Sequence, residues 1–269
     1  MKPLVLRLRA APEQRLDMSP LTPQRLAGKS EREISGVELQ TTRRTLRVGD
    51  LFDVSEGSAE HILIEGGSER FDRVGEGMSA GSITVDGEVG IRAGRQMTGG
   101  RLAINGNSSH WTASGMTAGF IEIGGHAGDR LGGPLAGEVE GMSGGMVVVR
   151  GDAGARAADR LRRGVVIIEG DAGDDAGARM LAGTLIVRGA AGARTGYLLR
   201  RGTIVLGAVS GDFGPTFVDC GVHELTAHRL MAAYVEESSA KSASVFRRPL
   251  RRFLGDMAVL GKGEIFVAV

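Results

Sequence analysis

Residues 147–196 read VVVRGDAGARAADRLRRGVVIIEGDAGDDAGARMLAGTLIVRGAAGARTG and nearly repeat themselves. Aligning on Met/Leu-x-x-Gly-x-apolar-x-apolar-x-Gly puts unit starts at Met78, Met97, Met116, Met142, Leu161, Met180 and Leu199. Five of the six steps are 19 residues; the step from Met116 to Met142 is 26, so seven residues are inserted around GGPLAGEVEG, residues 132–141. A weaker unit, GSAEHILIEG, begins at Gly57. The paired apolar positions are Ile83/Val85, Leu102/Ile104, Ile121/Ile123, Val147/Val149, Val166/Ile168, Leu185/Val187 and Ile204/Leu206. Alternation with period two marks a strand whose paired residues point one way. One such strand cannot bury its apolar face alone, whereas stacked units share a continuous core. The pattern predicts an all-β-dominated chain built on a single-stranded, right-handed parallel β-helix with about 19 residues per coil.

Glycine numbers 44 of 269 residues and aromatics make up only 4%, without the every-third-residue period of collagen. After most strands the chain runs Gly-x-x-Gly-x-x-x-Gly, as in Gly87/Gly90/Gly94, Gly125/Gly128/Gly132, Gly170/Gly173/Gly177 and Gly189/Gly192/Gly196. Recurrence at one phase assigns these glycines to corners and close backbone approaches. Residues 1–56 are expected to form an N-terminal cap and lead-in, 57–210 the β-helix, and 211–269 a C-terminal helical and extended cap, since stacked repeats otherwise expose their end edges. Within the last segment, Val222 to Glu237 reads as a helix with Leu225, Leu230 and Met231 towards one side.

The lone Cys220 allows no internal disulfide and no multi-thiolate cluster from this chain alone. There is no basic-then-apolar leader and no apolar run of about 18 residues, so a cytoplasmic protein with no membrane contact is expected. A formal charge of +1 argues against a general nucleic-acid binder.

Motifs with a chemical flavour fit the repeat better than a reaction. GMSAG (77–81) and GMSGG (141–145) sit where another unit has GMTAG, so Ser79 and Ser143 read as repeat positions rather than nucleophiles. AGKS (27–30) lacks the first glycine of a phosphate loop. GDAGDDAG from Gly170 lacks the tandem register of calcium-binding repeats. Cys220, His223 and His228 read as a cap and a solvated face; His61, His110 and His126 read as structural or surface residues without an acid partner. No catalytic, cofactor-binding or metal-ligating residue is assigned.

Two features stand out. The strand position between the core pairs runs Thr84, Ala103, Glu122, Val148, Ile167, Ile186, Val205. The stripe Val148, Ile167, Ile186 and Val205 therefore calls for a cap or a partner to cover it. The position 14 residues after each unit start runs Arg92, Trp111, Arg130, Arg156, Asp175, Arg194. Arg92, Arg130, Arg156 and Arg194 form a ladder that is either a solvated face or a docking surface for anions.

The opening LTPQRLAGKSEREISGVEL (21–39), the following VGDLFDVSEG (48–57), the repeated M-x-G-G-x-I-x-V-x-G units and the ending FLGDMAVLGKGEI (253–265) resemble the C subunit of formylmethanofuran dehydrogenase and of its bacterial relative, the formyltransferase/hydrolase complex of methylotrophs. The likeness extends over essentially the whole chain. The repeats alone are also similar to the glycine-repeat domain of glutamate synthase. The resemblance implies a parallel β-helix subunit, mainly architectural, in a cytoplasmic complex with A, B and D subunits. The amidohydrolase-like A chain and the formyltransferase D chain would carry the chemistry. It further implies transfer of a formyl group from formyl-tetrahydromethanopterin to a methanofuran-type carrier with release of formate; the carrier's polyglutamate tail is then a candidate partner of the ladder. The alternatives are the C subunit of a tungsten or molybdenum formylmethanofuran dehydrogenase, whose metal pterin and iron–sulfur clusters sit on other subunits, and an independent ligand-binding β-helix. Lysine stands only at positions 2, 29, 241 and 262 among 33 basic residues, a usage that favours the bacterial version.

Overall fold

The computed structural model describes residues 2–211 and 213–269. The chain is mostly β, with few helices, and is organised by a 13-stranded, mostly parallel sheet. Strands Ser58–Glu65, Ser82–Asp86, Thr98–Ile104, Ala118–Ile123, Ser143–Val149, Arg163–Ile168, Thr184–Ala191 and Arg201–Val209 lie side by side in chain order, each parallel to the one before. Equivalent repeat positions are direct neighbours: Ile83 lies beside Leu102, Leu102 beside Ile121, Ile121 beside Val147, Val147 beside Val166, and so on to Ile204. The ladder passes the inserted residues without a change of phase. Both members of every apolar pair are buried in one continuous core. A second line of parallel contacts joins Ser68, Val89, Ser108, Ala127, Ala153, Ala172 and Ala191, one from each unit.

Between that line and the next strand the backbone turns through left-handed conformations. The middle turning position is glycine in most units, with φ between +62° and +73° at Gly94, Gly132, Gly177 and Gly196, while Ala113 and Ala158 adopt it with φ +62° and +59°. For an alanine this geometry crowds Cβ against the following carbonyl and costs about 1 kcal/mol, an amount the surrounding ladder holds in place.

The ends are built differently from the middle. At one end Pro3–Leu8 runs parallel to Ser58–Glu65, with Leu6 beside Ile64, and Phe52–Ser55 pairs antiparallel on its far side. At the other, Lys262–Ala268 runs parallel to Arg201–Val209, with Ile265 beside Ile204; Leu250–Gly255 and Val218–His223 then follow antiparallel.

The C-terminal helix differs from its sequence reading in both start and face. Val222 belongs to the strand Val218–His223, and the helix is Thr226–Glu236. Leu225 is exposed and Leu230 is 70% exposed, whereas His228 and Val235 are buried with Met231 partly so. The inward face is set by what the helix packs on, the apolar outer face of the sheet; the strongest hydrophobes of the segment do not define it. This helix, the short helix Ala240–Ala243 and the 3-10 turn Ser244–Arg247 lie over Val148, Ile167, Ile186 and Val205, all four fully buried, with Val235, Ala243, Val245, Phe246 and Phe266 in the same apolar cluster. No helix among the described residues is long and apolar enough to cross a membrane.

Candidate functional site

The stripe and the ladder lie in different surroundings. The covered stripe is fastened by a charge: Glu169, at the end of its strand, receives Arg150 Nη1 at 2.5 Å and the hydroxyl of Ser239 at 2.7 Å, with Lys241 Nζ 3.4 Å away. Arg150 also reaches Glu122 at 2.6 Å. Burial pushes the Glu169 carboxyl up, but its Ser239 and Arg150 partners outweigh this and hold it below the ordinary carboxylate range. A buried carboxylate left without those partners would be costly, so Glu169 ties the C-terminal segment to one placement. The sequence did offer a signal, a lone glutamate within an apolar repeat, but not the identity of its partners.

His228 sits under the same segment. It is only 6% exposed, stacks edge-on against Phe266 with centroids 4.6 Å apart, and its Nε2 has no hydrogen-bond partner among the described residues. The solvated-face reading of this residue is therefore corrected. His223 Nε2 meets the carbonyl oxygen of Cys220 at 2.8 Å, and the Cys220 thiol lies 3.6 Å from the Val218 carbonyl, so these two face backbone rather than each other's side chains. Burial draws the His228 imidazole below its ordinary 6.5, with nearby Glu264 opposing and His223 adding to the effect. Because the folded pKa is the lower one, the unfolded chain takes up the proton first as pH falls. The stability due to the neutral ring is complete above the unfolded value and is lost as pH drops towards the folded one. Between about pH 7.5 and 5.5 the melting temperature of the wild type should fall more than that of His228→Phe. Equal slopes in a pH series of thermal melts would contradict this assignment.

The ladder residues occupy a corner. Arg92, Trp111, Arg130, Arg156, Asp175 and Arg194 share one phase, and all have left-handed φ between +55° and +63°. Arg73, with φ +62°, extends the column into the weaker first unit, where the sequence pattern had faded, and pairs with Asp17 and Glu76. Arg194 forks onto Asp175, both contacts at 2.8 Å, and holds that carboxyl below its usual range. The Arg130 guanidinium lies 5.7 Å from the Trp111 ring centroid, within cation–π reach. Arg92, Arg130 and Arg156 have no ion pair among the described residues, and Nε of Arg92 and of Arg156 is buried without a partner.

Four residues on, a second left-handed column runs Gly77, Gln96, Gly115, Arg160, Arg179, Leu198. Side chains replace glycine at four of the six, Gln96, Arg160, Arg179 and Leu198, where each costs about 1 kcal/mol. The inserted residues fold against this corner. Glu138 accepts from Arg95 Nη2 at 2.6 Å and from the Leu135 amide at 2.8 Å, and the Arg95 guanidinium keeps its carboxyl below the ordinary range against the opposing effect of burial. Val139 at the tip is 80% exposed.

His61 Nδ1 lies 2.9 Å from the Ser82 hydroxyl, whereas two other histidines serve backbone. Nδ1 of His110 accepts the Asp129 amide and Nδ1 of His126 the Asp152 amide, each at 3.0 Å. They stand at phases where Asp72, Asp129, Asp152, Asp171 and Asp174 accept an amide from the following unit. A carboxylate is also close, Asp152 Oδ2 lying 3.2 Å from His126 Nδ1, but that nitrogen already accepts the Asp152 amide and does not donate to the carboxylate. Ser30 of the AGKS stretch caps the helix Glu31–Ser35 in a reciprocal arrangement with Glu33.

No family model matches the chain. It is 44% identical over 262 residues, covering 97% of this chain and 98% of the relative, to the C subunit of the formyltransferase/hydrolase complex Fhc of Methylorubrum extorquens. It is 31% identical over 93 residues, about a third of either chain (34%), to the C subunit of the tungsten-containing formylmethanofuran dehydrogenase 2 of Methanococcus maripaludis. Its structure superposes with a TM-score of 0.94 and 41% identity, over 98% of this chain and 99% of the other, on a chain in the crystal structure of the formyltransferase/hydrolase complex FhcABCD of Methylorubrum extorquens with methylofuran. With a parallel ladder, covered stripe and both ends included in an alignment of that extent, the chain belongs to the family of formyltransferase/hydrolase complex C subunits.

Proposed function

We propose that this chain is the C subunit of a formyltransferase/hydrolase complex, a scaffold partnered by A, B and D subunits that carry the chemistry. The observation that carries the reading is the 44% identity across 97% of the chain to an Fhc C subunit. The dehydrogenase alternative has weaker support, since likeness to those subunits spans only 34% of the chain. On this reading the assembly moves a formyl group from formyl-tetrahydromethanopterin to a methanofuran-type carrier and releases formate, and the chain works in the cytoplasm. The repeat is a right-handed parallel β-helix spanning residues 57–210 between caps at 1–56 and 211–269, a reading supported by the unbroken phase of the parallel ladder from Ser58–Glu65 to Arg201–Val209.

The ladder serves as an anionic docking surface and not as a reaction centre. Like charges stacked at one repeat phase repel unless carboxylates intervene; Asp175 relieves Arg194, while Arg92, Arg130 and Arg156 remain for an acidic segment of a neighbouring subunit or for the carboxylates of a carrier tail. Docking of a neighbouring subunit is favoured, because a tail must serve active sites on other chains. Native mass spectrometry of the chain purified with its co-expressed partners tests the whole reading: A, B and D subunits should accompany it. Arg156→Gln with Arg194→Gln should leave the melting temperature of the isolated chain within a few degrees of wild type and make assembly or carrier binding weaker and less salt-sensitive. Wild-type assembly, carrier affinity and salt response in that variant would reduce the ladder to a solvated face.

A further inference from the structure

The inserted residues, the second left-handed column and the turn before the last strand enclose a groove of about 570 Å³. Its lining includes Arg160, Leu181, Leu198 and Arg200, together with Val139 and Val259. We propose that this groove receives an extended acidic segment of another subunit, seated with a carboxylate between Arg160 and Arg200 and an aliphatic side chain between Leu181 and Leu198. The inference rests on the reading of the chain as part of a complex and names an interface within it that is separate from the ladder.

Charge comes first. Arg179, which also lines the groove, is already neutralised: it forks onto Asp159 at 3.0 and 2.6 Å, and Asp159 is 1% exposed. Arg160 donates to the carbonyl oxygen of Glu138 at 2.8 Å, and the Glu138 carboxylate is taken by Arg95. Arg200 is exposed and has neither an ion pair nor a side-chain hydrogen bond among the described residues. The groove therefore offers two cations without carboxylates, and an acidic ligand complements them.

The inserted loop supports the same place. The units lining the groove carry Arg160, Arg179 and Leu198 at this turning position, with φ +52°, +56° and +56°, as Gln96 does outside it with φ +53°. The one departure from the 19-residue period contributes Gly137, Glu138 and Val139 to the lining, with Val139 80% exposed. Stacked strands lie about 4.8 Å apart, so the three units of this column span roughly 10 Å, the reach of about three extended residues. Such a segment meets arginines and partly exposed leucines together, the composition of an interface centre rather than of its rim.

The test uses the chain co-expressed with its partner subunits. Arg200→Glu and Val139→Asp lie at exposed positions, so the isolated double variant should melt like wild type, while recovery of at least one partner subunit at fixed salt should fall about tenfold or more. A photo-crosslinking amino acid placed at position 139 of the otherwise wild-type chain should join an Asp- or Glu-bearing segment of that partner. If the wild type assembles but the folded double variant assembles equally well, or if the cross-link maps to a second copy of this chain or to a segment without acidic residues, the groove assignment is wrong and the proposed membership of the complex stands. If the wild type recovers no partner at all, both fall.

Discussion

Replacing Ile167 and Ile186 together by Asp is expected to release the C-terminal segment and to remove most of the chain's stability. The two side chains are in-register neighbours on adjacent strands, fully buried beneath the cluster that includes Val235, Val245 and Phe246. Two carboxylates there would face each other at roughly 5 Å between Cβ atoms, with an apolar lid above. Each unpaired buried charge costs several kcal/mol, so the pair approaches the 5–15 kcal/mol that typically separates folded from unfolded domains. Thermal melting and amide exchange across residues 226–248 measure the effect. A variant that melts with the wild type and keeps slow exchange in that segment would mean the helices do not rest on the stripe.

Deleting Val148 should be nearly as damaging, and the reason lies at both ends of its strand. If residues before the gap hold their places, Val149 turns outward and Arg150 enters the position between Ile123 and Ile168, inside the core. If residues after the gap hold, Met146 and Val147 can serve on either face, because the segment is apolar throughout. The misfit then moves to Ser143, which must take the place of Gly144, where a Cβ would lie 2.0 Å from the Thr117 carbonyl oxygen. A buried guanidinium and a steric collision with backbone are both worth several kcal/mol. Loss of cooperative melting, or a midpoint lowered by more than ten degrees, is the expected result; a native-like melt would refute the register.

The same strand shows how far the sequence could be read. Its phase was legible because Val147 and Val149 repeat what Ile121, Ile123, Val166 and Ile168 do one unit away, and repetition turns a local pattern into a tertiary contact. The glycine corners were legible for the same reason. What does not repeat was not. Leu230 looked like a helix anchor, yet it faces outward because the surface that selects the helix face is Ile167 and Ile186, distant in sequence. Glu169 signalled a buried charge without revealing Arg150, Ser239 and Lys241 as its partners. His110 and His126 were hidden members of a repeating phase, since an imidazole can replace an aspartate as an amide acceptor without resembling it. The groove at Arg200 depends on three separate segments, and no periodic signal joins them.

The antiparallel strands at both ends of the sheet also decide what the molecule does not become. A run of like units presents on its last strand the edge its first strand would accept, so identical copies could add head to tail and grow into a fibril. Here that sequence of directions is broken at each end. The terminal strands are short and bear charge, Asp53 on Phe52–Ser55 and Asp219 on Val218–His223, and the latter pairs irregularly between Asp219 and Val222. Among the described residues, neither edge offers the parallel repeat strand on which a further unit would stack in phase.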